Sequence, residues 1–155
     1  MIRATSITHV HGDPAGTVTL DYDDRFRRRI ALECDNGLAF LLDLPKVTEL
    51  QDGDDLLLED GRHIRVAAAA EPLMKAIAAD MHHLIRITWH VGNRHLPCEI
   101  HPDHLILRHD YVIADMLTRL GATVTLFDGP FNPEGGAYGQ TRAHSHEHKT
   151  LRIDV

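Results

Sequence analysis

Cysteine is nearly absent from this chain of 155 residues, with Cys34 and Cys98 its only two. Two thiols this far apart in sequence make no disulfide framework of the kind that staples small secreted domains, so a reducing compartment is expected. Long apolar runs are absent as well, and no stretch approaches the roughly 18 apolar residues a membrane-spanning helix needs. The first twenty residues hold no secretory hydrophobic region, because Thr8, His9, His11, Asp13 and Pro14 interrupt them. The expectation is a cytoplasmic protein. Positive charge is also in deficit: 16 Lys+Arg stand against 23 Asp+Glu, a formal net charge of −7 with histidine neutral. General nucleic-acid binders cluster Lys and Arg to neutralise phosphates, which argues against that class. Catalytic signatures are missing too, with no His-Glu-x-x-His, Gly-x-Ser-x-Gly or phosphate-cradling glycine loop.

What the chain does have is histidine. Thirteen of its 155 residues are His, and ten of those lie from residue 82 onward. Otherwise the composition is that of an ordinary globular protein, 43% hydrophobic and 25% charged. A chain of this length can bury enough surface for one domain or two small ones.

Strand signals dominate residues 1–70. Asn36-Gly37 lies between apolar residues 30–34 and 38–42, and Asp60-Gly61 between residues 56–58 and 63–66. Asn-Gly and Asp-Gly supply the positive φ of tight hairpin turns, so both predict β-hairpins in a small all-β domain. At Glu71-Pro72 the pattern changes. Leu73, Met74, Ile77, Ala78 and Met81 recur at helical spacing, which predicts a helix with His82-His83 in its last turn. Residues 84–91 read as a strand stopped by Gly92-Asn93, and residues 97–107 as a second strand bent at Pro102-Asp103. Residues 111–120 share an apolar helical face, with Asp110 as N-cap and Gly121 at the end. Residues 122–127 close the region as a strand. With residues 65–69 taken as the first strand, the order β-α-β-β-α-β predicts a ferredoxin-like domain. The fold class is therefore α+β: an N-terminal all-β domain (1–70), a ferredoxin-like domain (71–139) and a polar, His-containing tail (140–155).

The sharpest histidine cluster is His144-Ser-His146-Glu-His148. In an extended segment alternate side chains share a side, so His-x-His can offer two imidazoles to one ion. Neutral imidazole suits nickel, copper, zinc and iron. The competing reading is a solvated tail that binds metal only weakly. His95, in Val91-Gly92-Asn93-Arg94-His95-Leu96-Pro97, sits by local chemistry at a hairpin turn or strand edge between two strands. An exposed turn histidine is the simpler account of that motif. His101, His104 and His109 follow at spacings of three and five, which match no closed zinc pattern. Cys98, three residues after His95 in an extended segment, would face the opposite way, which disfavours a nucleophilic pair. The basic block within residues 21–29 reads as a solvated strand face rather than a surface for an acidic partner.

Gly92-Asn93-Arg94-His95 belongs to a longer pattern. It continues through Pro97, His109-Asp110, Asp115-Met116-Leu117, Gly121, Pro130-Phe131, Pro133-Glu134 and Gly136-Ala137-Tyr138 to the His-rich tail. Over essentially its full length the chain resembles the UreE family of urease accessory nickel chaperones. The resemblance implies a homodimer joined through the ferredoxin-like domains and no enzymatic activity. It further implies that His95 from each chain meets its mate on the two-fold axis to bind one Ni2+. His144 and His146 match the family's terminal His-x-His and would complete the coordination, with His148 an additional candidate. His109 matches a position that in some members forms a secondary metal site with a second His two residues on. Here that residue is Tyr111. The short tail points to few ions per dimer, and Zn2+ or Cu2+ are expected to substitute in vitro. Handover to the urease accessory GTPase and the urease apoprotein complex is implied, with the N-terminal domain as a docking module. Two other readings stand beside this one: a zinc or copper buffer without a delivery role, and a metal-dependent hydrolase, for which Asp103, Asp110 and Asp115 supply carboxylates but no arrangement around the histidines.

Overall fold

The computed structural model describes residues 1–10 and 12–136. The chain divides into two compact units, the first Met1–Ala69 and the second beginning at Ala70. The first unit is one six-stranded sheet built from β1 (Arg3–Thr8), β2 (Gly16–Leu20), β3 (Phe26–Glu33), β4 (Ala39–Glu49), β5 (Asp55–Leu58) and β6 (His63–Ala68). Its strand order is β2-β6-β5-β1-β4-β3. Both expected hairpins are present. β3 pairs antiparallel with β4 around Gly37 at φ +87°, and β5 with β6 around Gly61 at φ +91°. These are turns that residues with a Cβ enter only with strain. Alternate positions Phe40, Leu42 and Leu44 of β4 turn inward with Leu56, Leu58, Ile64 and Val66 to form this unit's core.

The second unit runs β7 (Ala70–Ile77), α1 (Met81–Asn93), β8 (Glu99–Ile100), β9 (His104–Arg108), α2 (Tyr111–Arg119) and β10 (Thr123–Pro130). Its four strands lie in the order β10-β7-β9-β8, all neighbours antiparallel, which is the ferredoxin-like arrangement. Leu84, Ile87 and Val91 of α1 and Ile113 and Leu117 of α2 share one core with Met74, Ala76, Leu105 and Leu107 of the sheet. The α+β class and the two-part architecture are as expected.

Three elements differ from the sequence-based expectation. Residues 73–77 lie in strand β7 instead of a helix, residues 84–91 lie in helix α1 instead of a strand, and residues 65–68 belong to β6 of the first sheet. In β7 Leu73 is buried on one face and Met74 and Ala76 on the other. A short strand with apolar residues on both faces loses the alternation that marks a strand, and periodicity alone does not tell it from a helix. In α1, Ile85, Ile87, Trp89 and Val91 alternate with polar residues and imitate a strand. The apolar set actually buried is Leu84, Ile87 and Val91, at i, i+3 and i+7, beside His83.

The helix begins at Asp80, whose Oδ1 accepts from the His83 backbone N–H at 2.8 Å. His82 and His83 therefore stand in the first turn, at the opposite end from that expected. Asp110 caps α2 as expected, accepting from the Val112 and Ile113 N–H groups at 2.8 and 3.0 Å. Among the described residues no helix is long and apolar enough to cross a membrane.

Candidate metal centre

His95 follows the C-terminus of α1, not a turn between two strands. Gly92 and Asn93, which imitate a hairpin signal in the sequence, are the last helical residues, and Arg94 is the C-cap. The His95 N–H donates to Gly92 O at 3.0 Å and the Leu96 N–H donates to Val91 O at 3.3 Å. These two bonds make a Schellman closure, and Leu96 packs against the core that contains Val91. The motif needs its residue after the cap in the left-handed region, where glycine is usual. Here the residue is His95 at φ +58°, and it is the one non-glycine with positive φ among the described residues. An exposed imidazole is thus fixed at a backbone position that glycine would fill at less cost. The negative end of the α1 dipole lies beside it, a field that favours a bound cation.

The same helix carries an apolar stripe that the expected boundary divides, with Met81 in a helix and Ile85 and Trp89 in a strand. Met81, Ile85 and Trp89, four residues apart, are 60%, 60% and 63% exposed. The i, i+4, i+8 spacing is the signal that would have disclosed it.

His109 lies just before the Asp110 cap. Its N–H donates to Pro72 O at 3.0 Å, and its half-buried ring meets Tyr111 edge to face at 4.6 Å. Together with Leu96, Pro97, Leu107 and Ile113 it lines a cavity of about 280 Å³. Among the described residues no group of three or more His, Cys, Asp or Glu side chains is placed to hold a metal ion. His95 and His109 are therefore not members of such a group among the described residues. His144, His146 and His148 lie outside the described residues.

The thiols are poor ligands here. Burial pushes the Cys98 thiol up to about 11, with the charges of Glu134 and Glu99 adding to the effect. Burial also raises Cys34, helped by Asp35 and Glu33. Both stay protonated at neutral pH, whereas metal ligation needs thiolate. His83 is equally committed. Its Nδ1 accepts from the Ala79 N–H at 2.9 Å and its Nε2 donates to Leu120 O at 2.7 Å, tying the start of α1 to the end of α2.

Comparison with known proteins places both units. Residues 2–69 match the family model for the UreE urease accessory protein N-terminal domain, and residues 71–152 that for its C-terminal domain. The chain is 52% identical over 147 residues to the urease accessory protein UreE of Chelativorans sp. (strain BNC1), covering 95% of this chain and 91% of the relative. It is 48% identical over 155 residues to that of Rhodobacter capsulatus, covering 99% and 97%. To the protein of that name from Bradyrhizobium sp. (strain BTAi1 / ATCC BAA-1182) it is 50% identical over 151 residues, covering 95% and 73%.

Proposed function

The chain belongs to the UreE family of urease accessory proteins, a family of accessory chaperones in urease maturation and not of enzymes; from that premise we propose that it carries Ni2+ to the urease maturation machinery as a homodimer. The observation that carries this reading is His95, an exposed imidazole held in left-handed backbone where glycine is cheaper. A single imidazole is a poor divalent site. A two-fold interface is isologous, so one residue per chain supplies two ligands to one ion. The exposed Met81, Ile85 and Trp89 stripe on the helix that ends at His95 supports a second copy as the covering partner.

His144 and His146 would complete the coordination from the tail, with His148 and His109 as further candidates. Two fixed imidazoles plus tail ligands that leave one at a time suit a protein that must both hold an ion and release it. Zn2+ and Cu2+ would occupy the same ligands in vitro, since imidazole discriminates weakly among these metals. Delivery would run to the urease accessory GTPase and the urease apoprotein complex in the cytoplasm, with the N-terminal β unit as the docking module.

Native mass spectrometry with a nickel titration tests oligomer and ion count together. The expected result is a dimer that takes up one tight Ni2+ and loses it on His95→Ala. Affinity should also fall from pH 8 to pH 5, because protons compete for the imidazole lone pairs. An unchanged tight site in the variant, or a monomer that binds the tight ion, sinks the interfacial assignment.

A further inference from the structure

We propose that His101 and His104, at the turn between β8 and β9, form a second transition-metal site, separate from His95, that takes one Ni2+, Cu2+ or Zn2+ per chain. The turn is tight, closed by the His101 N–H donating to His104 O at 2.9 Å. Their rings stack with centroids 4.5 Å apart and planes 8° from parallel. Each ring has a carboxylate behind it. Nε2 of His101 donates to Glu99 Oε1 at 2.9 Å, and Nδ1 of His104 donates to Asp103 Oδ1 at 2.6 Å.

Ionised carboxylates only accept, so those ring nitrogens carry the protons. In a neutral ring, the form a metal requires, Nδ1 of His101 and Nε2 of His104 are then the nitrogens that offer a lone pair. A carboxylate behind the imidazole is the outer arrangement found at histidine metal ligands, where it fixes the tautomer and raises ligand basicity. Two rings stacked for packing alone need no such support, and here both have it.

Glu99 is itself fixed from its other oxygen. Oε2 accepts from the Asn132 N–H at 3.0 Å, and two residues on the Glu134 N–H donates to Cys98 O at 2.8 Å. The segment leading to the histidines of the tail is therefore anchored on the strand that orients His101. Parallel rings must tilt toward each other to share an ion. His101, with 38% of its side chain exposed against 16% for His104, is the ring free to turn. Two imidazoles with water filling the other positions make a weaker site than one with further protein ligands, so it belongs to the lower-affinity class.

The test removes every other candidate ligand. Full-length protein carrying His95→Ala, His109→Ala, His144→Ala, His146→Ala and His148→Ala is titrated with NiCl2 by calorimetry, with circular dichroism as the check on folding. One ion per chain should remain. Adding His101→Ala with His104→Ala should abolish it, and Glu99→Gln alone should weaken it by about ten- to a hundredfold. No bound nickel at millimolar concentration in the first variant, or binding unaltered by the added pair, overturns the proposal. The pair His101→Ala and His104→Ala in the otherwise unaltered protein gives a second reading that does not depend on the multiple variant folding. One fewer low-affinity ion per chain is expected there, and an unchanged count overturns the proposal equally. The second experiment keeps His95 and so reads the tight ion separately, and failure of one site does not entail failure of the other.

Discussion

Replacing His95 with glycine is expected to make the protein more stable while destroying the tight nickel site proposed at that residue. The opposition follows from the backbone. At φ +58° His95 lies in a region that costs a non-glycine residue roughly 1–2 kcal/mol, because Cβ crowds the neighbouring carbonyl. Glycine removes that cost but has more freedom in the unfolded chain, which takes back about 0.4–1 kcal/mol. The net gain is about 0.5–1 kcal/mol, worth a rise in Tm of about 1–4 °C for a chain of this length.

His95→Ala is the control, since it deletes the same imidazole but keeps a Cβ in the left-handed position. The assay is urea or thermal unfolding of the three proteins without metal and in EDTA, paired with nickel calorimetry. Both variants should lose the tight site, and the glycine variant should be the more stable of the two by about 1 kcal/mol. If His95→Gly is no more stable than His95→Ala, no strain is stored there. The argument that the imidazole is held against the interest of the fold then fails with it.

Trp89→Glu should leave the fold intact, since the side chain is 63% exposed, but convert the proposed dimer to monomer in sedimentation and remove the proposed tight ion. A dimer that survives the change would refute the α1 stripe as the interface. Asp110→Ala should cost about 1 kcal/mol in urea unfolding, because two N–H groups of the first turn of α2 lose their acceptor. Cys98 should alkylate slowly. With its thiol at about 11 against an ordinary 9.0, the thiolate fraction at pH 8 is about a hundredfold lower. Peptide mapping after iodoacetamide should show it largely unmodified until the pH is raised past 10, and fast labelling at pH 8 would contradict the burial argument.

The parts of the fold legible in the sequence are those governed by local chemistry. Asn36-Gly37, Asp60-Gly61 and Asp110 each do what their side chains and backbone preferences dictate, and the structure uses them so. Residues 73–91 are not legible in this way. β7 carries apolar residues on both faces and so lacks a strand's alternation, while the exposed Ile85 and Trp89 of α1, with the buried Ile87 and Val91, alternate with polar residues as a strand would. The uncovered stripe is thus both what imitates a strand in the sequence and what supports the proposed dimer. His95 could be singled out by its motif. Its left-handed backbone could not, since Gly92-Asn93 two residues earlier supplies a turn signal that the helix end overrides.

The histidine excess resolves once each ring nitrogen is accounted for, and this gives a final prediction. An imidazole with both nitrogens hydrogen-bonded to the backbone has no lone pair for a metal, whatever its spacing from other histidines. His83 is in that state, accepting from Ala79 and donating to Leu120. Its loss removes two hydrogen bonds, to the exposed Ala79 N–H and the half-buried Leu120 O, each worth about 0.5–1.5 kcal/mol where water can take the partner's place. His83→Ala should therefore lower stability by about 1–3 kcal/mol, yet leave the number of nickel ions per chain unchanged. His95→Gly should show the reverse pattern, a stability gain with the loss of an ion. Measuring unfolding and nickel stoichiometry side by side on the two variants sorts structural histidines from ligands without reference to sequence spacing. A His83 variant that loses an ion while still folded would break the rule that a ring engaged at both nitrogens is spent.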